Sequence, residues 1–438
     1  MIKILYELTY ATRGQSGIPR DTASVAKMLT QSEEFQIGLI LNPQSYTRRI
    51  SFEQNKVYWE AIVLGNALRR EPGRIVIPRL FTSGLIYLQS LSLYRNVSIH
   101  FLSEKINSLT LEHLNLVKSN RVLQRTSIAL IQLSYLARFS RPRFLKPFNL
   151  NNSQYDVFIQ QQVDPISVGK KMIHVVRLHD ILPITHPQFF DNNAVKVFTK
   201  SLKIMMKGNN KIWVMDSEAT LKEFKEYFGT DLDARVIPCS ITLNNLSIAT
   251  MEAPRKNQIC IVNTIEPRKR VSLAISGFRQ AKLLGQLSPD WELVIVGAEG
   301  WNVGPLASGL RKGIFGKDVI YKEAVEDFEL QKVYRESRII LSATAAEGFG
   351  LPPLEGMLNG CIPVVSDIPQ HRETVRENGL YFSGNEPTAI ASALEEASIL
   401  SEQNGTEIAS KLRNYVEANY SEKVISKMWI DFINSLKK

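Results

Sequence analysis

The chain has 438 residues, 44% of them hydrophobic and 22% charged, a globular composition too long for one core and suited to two domains of about 200 residues. Every apolar run falls short of the roughly 18 residues a membrane span needs, and three cysteines without a C-x-x-C pair point to neither a disulfide framework nor a zinc site. The net charge of +10 is unevenly placed: residues 1–150 carry 20 basic against 9 acidic side chains, a surplus of +11, and the remainder carries −1.

The first element is the strand "IKILYELTY"; the start lacks a signal peptide's long apolar stretch and cleavage site, and the reduced cysteines fit a cytosolic compartment. The loop "ATRGQSG" follows, with Gly14 and Gly17, and then the helix "RDTASVAKML". Residues 45–150 have weak periodicity. Within them lies the densest basic stretch, 117–148, where Lys118, Arg121, Arg125, Arg138, Arg141, Arg143 and Lys146 flank an apolar helix-like segment. It reads either as a core helix with a solvated basic edge or as a helix lying on anionic lipid. Nucleic acid is not expected, since no aromatic-basic motif accompanies the charge. Strands follow at 155–161, 172–180, 211–218 and 234–241, and a polar linker at 247–258.

Beyond the linker, strand and helix alternate. Strands are expected at 258–265, 291–297, 318–325, 339–344, 361–367 and 379–384, with helices at 271–284, 304–312, 327–338 and after Pro352-Pro353, and a helix-forming end. Short apolar strands each followed by a helix predict parallel sheets covered on both faces. The fold class is therefore α/β, with two doubly wound domains facing across a cleft: residues 1–247, residues 258–418, and a terminal helix, 419–438, returning to the first domain. Ligands in such sheets bind beyond the carboxyl ends of the strands.

At one such end stands "AAEGFGLPPLEGMLNGCIPVV" (345–365), with Glu347 and Glu355 eight residues apart. A proline can open the helix because the first turn needs no N–H there. Free N–H groups at its start favour an anion such as a diphosphate, and Gly348 and Gly350 let backbone approach a ligand. Glu347 is expected in the loop and Glu355 in the helix's first turn, one holding a sugar and the other a ribose. Arg268 and Lys269 are adjacent cations in a strand-to-helix loop, suited to neutralising a diphosphate. His179 follows a strand and precedes Asp180, at the cleft rim.

These stretches resemble retaining glycosyltransferases of family 4, whose Glu-x7-Glu motif matches "EGFGLPPLEGMLNGCIPVVSD" and whose fold is GT-B. "HDILPITHPQFF" (179–190), "TIEPRKRVSLAISGF" (264–278) and "LVIVGAEGW" (293–301) match in order, and the resemblance covers most of 155–400. The sequence departs from the family where Asn263 and Ser342-Ala343 stand. The resemblance implies a donor-sugar role for Glu347 and His179, a ribose role for Glu355, and a diphosphate role for Arg268 and Lys269, which join His179 and Glu347 as the catalytic set. Gly17, Gly348, Phe349, Gly350 and Leu351 complete the expected nucleotide-sugar site.

The implied activity is transfer of a hexose, with retention, from a nucleotide diphosphate sugar to a growing, lipid-linked surface glycan. The form "HDILP" resembles bacterial mannosyl- and rhamnosyltransferases of surface polysaccharide assembly. No cofactor or metal is expected beyond the donor substrate, because no Asp-x-Asp pair accompanies the motif and fixed cations can take its place. The basic first third adds an expected peripheral position on the inner face of the plasma membrane. The rival reading is an inactive sugar-nucleotide-binding scaffold; a glycan phosphorylase would need a pyridoxal-bearing lysine motif.

Overall fold

The computed structural model describes residues 1–7, 17–40, 148–150, 155–241 and 255–436, apart from 162, 170, 208–210 and 324. The loop carrying Gly14, nearly all of the basic stretch 117–148 and the expected linker up to 254 lie outside the described residues.

The first half builds β1 (Ile2–Glu7), α1 (Gly17–Gln31), β2 (Phe35–Ile40), β3 (Phe148–Leu150), β4 (Val157–Gln160), β5 (Ile166–Val168) and β6 (Ile173–Leu178). There follow α2 (Leu182–Thr185), α3 (Asn192–Met205), β7 (Lys211–Met215), α4 (Glu218–Phe228) and β8 (Ala234–Val236). Six of the strands form one parallel sheet, ordered β2-β1-β4-β6-β7-β8, while β3 and β5 pair separately. Strands β4 and β6 are buried almost throughout, as strands covered on both faces must be. The sequence reading contains no helix at 192–205; Asp191 starts it by accepting from the N–H groups of Asn193 and Ala194. The strand expected at 234–241 stops at Val236, two residues before Pro238, which has no N–H for a ladder.

The second half builds β9 (Gln258–Val262), α5 (Val271–Leu283), β10 (Glu292–Val296), α6 (Gly304–Arg311), β11 (Val319–Lys322), α7 (Asp327–Glu336) and β12 (Ile339–Ser342). It continues through α8 (Leu351–Leu358), β13 (Ile362–Ser366), α9 (Pro369–Thr374), β14 (Leu380–Phe382) and α10 (Pro387–Tyr420), which breaks at Asn404. Its parallel sheet is ordered β11-β10-β9-β12-β13-β14, so the winding reverses between β9 and β12. That reversal opens a crevice at the carboxyl ends of these two neighbouring strands.

The chain then turns back. Helix α11 (Glu422–Ser435) inserts Ile425, Trp429 and Ile433 among Ile2, Ile4, Val25 and Leu29 of the first sheet's core. Ile241 accepts this return by donating its N–H to the Tyr420 carbonyl at 2.8 Å. Trp429 is fully buried, and its ring lies 5.5 Å from the Arg177 guanidinium carbon. Large-to-small replacement of a buried tryptophan costs about 3–5 kcal/mol. Trp429→Ala should therefore lower the urea midpoint of the first sheet's unfolding, read by amide exchange in β1 and β4; unaltered protection there would contradict the packing.

Candidate active site

The two strands at the reversal carry the loops that matter. A backbone bond from Ala345 N to Arg268 O, 2.8 Å, joins the loop after β12 to the loop after β9. Arg270, in the left-handed region at φ 48°, donates to the carbonyls of Ala343 (2.6 Å) and Thr344 (3.1 Å), the last groups leaving β12. Arg268 and Lys269 are thereby aimed at Glu347. Arg268 Nη1 lies 2.7 Å from Glu347 Oε2, and Lys269 Nζ pairs with Oε1. Arg268 Nη2 also pairs with Glu266 at 2.5 Å.

All of these side chains are buried or nearly so, yet the set holds two acids and two bases. Burial alone would raise the Glu347 carboxyl, but Lys269 and then Arg268 outweigh it and hold it at about 2. The ion pairs therefore persist above the ordinary carboxylate range and are lost only as pH falls towards 2. Burial pulls the Lys269 ammonium below its ordinary range despite Glu347, whereas the Arg268 guanidinium is held more firmly charged.

Glu355 departs from expectation. Helix α8 starts at Leu351 with Gly350 as its cap at φ 94°, so Glu355 sits in the second turn. The helix has no side-chain cap and no acidic residue in its first turn. Glu355 Oε2 accepts from Tyr334 Oη (2.7 Å), and Oε1 lies 3.0 Å from Arg20 Nη1. Arg20 belongs to α1 of the other sheet and also pairs with Asp327 at 2.6 Å. Gly17, at the start of α1, faces the start of α8: a β-carbon there would stand 3.0 Å from Leu351 Cδ1.

His179 comes from the facing sheet, just after β6. Its Nδ1 is 2.8 Å from Asp216 Oδ2, and Arg177 Nη2 is 2.8 Å from Asp216 Oδ1. Arg177 is fully buried and also pairs with Asp21 at 3.2 Å. The donor atoms of Asp21, His179, Asp216 and Cys239 all lie within 4.8 Å of one another, and the Arg177 guanidinium serves them as a cation. The three cysteines are free and buried.

Gly348 joins the two halves. A β-carbon on it would overlap the His179 carbonyl oxygen and approach Asp180 Cβ to 3.1 Å. Its own carbonyl accepts from Ser217 Oγ (2.8 Å) and Thr220 Oγ1 (2.9 Å). Nearby, the Glu373 carboxylate of α9 accepts the first N–H groups of α4, from Glu218 and Ala219, each at 2.8 Å. Trp301 Nε1 donates to the Phe189 carbonyl at 2.7 Å.

The structure thus brings Arg268, Lys269 and Glu347 into one cluster, with His179 beside Gly348 across the cleft. It also places Gly348 against the His179 backbone. It puts the Phe349 side chain in the core, edge-on to Tyr420 at 5.7 Å between ring centroids. Sequence reasoning does not find Arg20, Asp21, Arg177, Asp216 or Tyr334. Arg177 alone carries a visible signal, a charge inside the buried strand "IHVVRL".

A family model described as "Glycosyl transferases group 1" matches residues 247–419. This region is a glycosyl transferases group 1 domain. The chain is 30% identical over 249 residues to the serotype-specific mannosyltransferase WbdA of Escherichia coli, an alignment covering 52% of this chain and 30% of that protein. It is 24% identical over 252 residues to the O-antigen chain mannosyltransferase B of Escherichia coli, covering 54% and 63%. The match therefore spans less than a third of WbdA. Among solved structures, sucrose-phosphate synthase from Thermosynechococcus elongatus superposes with a TM-score of 0.62 at 12% identity, covering 100% of this chain and 99% of that one. Anabaena Alr3699/HepE, in complex with UDP and glucose, gives 0.59 at 14%, covering 99% and 100%. The two facing parallel sheets are the GT-B fold.

In this fold the cleft between the sheets is closed by contacts that need Gly348 to lack a side chain. Gly348→Ala should push the glycosyltransferase domain away from the first sheet. Small-angle scattering should show a larger radius of gyration than the wild type; superimposable curves would mean that the contact does not hold the halves together.

Proposed function

We propose that the protein is a retaining glycosyltransferase of family 4, which moves a hexose from a nucleotide diphosphate sugar to a growing surface glycan. The observation that carries this reading is the Arg268–Lys269–Glu347 cluster at the strand-order reversal of a glycosyl transferases group 1 domain. Two fixed cations suit a diphosphate, whose leaving charge they would stabilise without reorganising. Glu347 would turn to the transferred sugar as the diphosphate takes over its cations, and Glu355 would exchange Arg20 for the ribose. His179, across the cleft, would contact the donor sugar. Arg268 and Lys269 supply the positive charge this scheme asks for, so no metal enters it.

Support for a mannose-like donor and an O-antigen-type acceptor comes from the named activities of the two Escherichia coli relatives. The complex of Alr3699/HepE with UDP and glucose supports a nucleotide sugar in this cleft. A lipid-linked acceptor fits a protein working at the inner membrane face. Among the described residues no helix is long and apolar enough to cross a membrane. We attribute attachment to the basic stretch in the first third of the chain, whose attraction to anionic lipid salt should screen.

Hydrolysis or transfer of GDP-, UDP- or dTDP-sugars by the purified protein tests the activity, and a complete lack of turnover with all three classes would favour a sugar-nucleotide-binding scaffold instead. Replacing both Arg268 and Lys269 by Ala should weaken product-nucleotide binding at least tenfold, about 1.4 kcal/mol, in calorimetry. Undiminished affinity would remove the diphosphate role.

The two glutamates should fail differently. Glu347→Gln removes the charge facing a centre that turns positive as the glycosidic bond breaks, so turnover should fall by about 100-fold, or about 2.7 kcal/mol, while product-nucleotide affinity should not fall, since the carboxylate that competes for Arg268 and Lys269 is neutralised. Glu355→Gln should weaken the free nucleotide diphosphate as well, because the ribose leaves with it; a charged hydrogen bond contributes about 1.5–3 kcal/mol. Equal losses of nucleotide affinity in both variants would overturn the assignment.

A further inference from the structure

The pocket behind His179 contains two carboxylates, Asp21 and Asp216, around one guanidinium, Arg177. Their side chains are 1%, 4% and 0% exposed, and that of His179 is 9% exposed. Taken without the histidine, the group carries one uncompensated negative charge out of contact with water. An unpaired buried charge costs several kcal/mol, so a proton or a further cation must balance it. Cys239 cannot help, since burial pushes its thiol up and keeps it neutral. Burial would raise the Asp216 carboxyl, but Arg177 and then His179 bring it below the ordinary range, so it remains an anion. The imidazole, 2.8 Å from Asp216 through Nδ1, is placed to carry that proton.

We propose that Asp216 is a positioning residue: clamped by Arg177, it fixes His179 as an imidazolium whose Nε2–H is left free to donate to an oxygen of the bound donor. This inference rests on the reading of the cleft as a nucleotide-sugar site and extends it to a protonation state. Nδ1 is committed to Asp216, while Nε2 is buried and has no partner among the described residues. Asp216 is buried and faces a well-anchored partner: Arg177 donates to the carbonyls of Met215 and Ile237, pairs with Asp21 and lies beside the Trp429 ring. Burial works against a charged His179, and Asp216 outweighs it, raising the ring above its ordinary value.

Several other groups face the ring. Asp21 comes from α1, Arg177 from β6, Asp180 from the next position, and Cys239 from beyond β8; across the cleft, Arg268 acts on Asp180. Of these, Asp21 adds to the effect and Arg177 opposes it. A donor hydrogen bond from a cation is shorter and about twice as strong as a neutral one, so a charged ring would hold an oxygen of the donor more tightly than a neutral ring. Because the ring must be charged to act, activity should fall as pH rises through its titration.

The test is a titration of the six histidine rings of the full chain by nitrogen-proton correlation spectroscopy, with His179→Gln identifying the signal. The His179 ring should titrate above the ordinary value of about 6.5 with both nitrogens protonated below it. A midpoint under 6.5, or a neutral ring at pH 6, overturns the proposal in the wild type alone, whatever becomes of the variants. In Asp216→Asn the midpoint should drop by at least one unit, and the alkaline limb of kcat/KM should move down with it. A high wild-type midpoint with an unmoved limb would leave His179 charged but strike out the positioning role. If no donor sugar turns over at all, the proposed function fails, while the ring titration still decides the charge state.

Discussion

Glu347 cannot be buried without cations, and Arg268 and Lys269 cannot be held so close together without an anion. Each charge in the cluster is tolerated only because the others are present, and Glu266 completes the balance. This mutual requirement fixes the two loops at the reversal of the second sheet. Arg270 and the Ala345–Arg268 backbone bond reinforce it from below. A site of this kind is built before its ligand arrives. On the proposed function, a diphosphate displaces one carboxylate from two cations already in place, and the displaced carboxylate is then the group nearest the sugar.

The second glutamate obeys a weaker version of the same rule. Glu355 pairs with Arg20, but these side chains are 18% and 34% exposed, against 10–13% for Glu347 and its cations. Half-exposed pairs contribute about 0–1 kcal/mol, while breaking a buried one costs about 3–5 kcal/mol. Exchange at Glu355 is therefore the easier of the two. It also has a different consequence, because Arg20 comes from the other sheet. Releasing Arg20 loosens a contact between the halves.

Much of this was legible in the residues. The alternation of apolar strands and helices gives both parallel sheets, and the Glu-x7-Glu stretch with "PRKR" locates the cluster, because each part depends on neighbours close in sequence. What escaped depends on contacts between distant segments. Asp21 and Arg177 are 156 residues apart, and Arg20 and Glu355 are 335 apart, so no periodicity could pair them. One glycine also carries a demand that its neighbours in sequence do not reveal: the missing side chain of Gly348 leaves room for the His179 carbonyl. Phe349 lies within the motif, yet a large aromatic beside Leu354 and Tyr420 lowers the free energy by leaving water, and the core takes it.

Arg177 shows how an irregularity in a strand can specify a site. A strand buried on both faces should be apolar throughout, and "IHVVRL" breaks that rule with His174 at its second position and with a full charge, Arg177, at its fifth. The guanidinium then demands carboxylates, which Asp21 and Asp216 provide from α1 and from the end of β7. Asp216 can satisfy Arg177 with one oxygen and orient His179 with the other. Since an apolar residue at position 177 would leave two buried carboxylates unmatched, the charge cannot be exchanged for packing without dismantling the support behind the histidine. A local breach of the hydrophobic pattern is thus the means by which the first sheet holds a polar ring in place at the carboxyl end of β6.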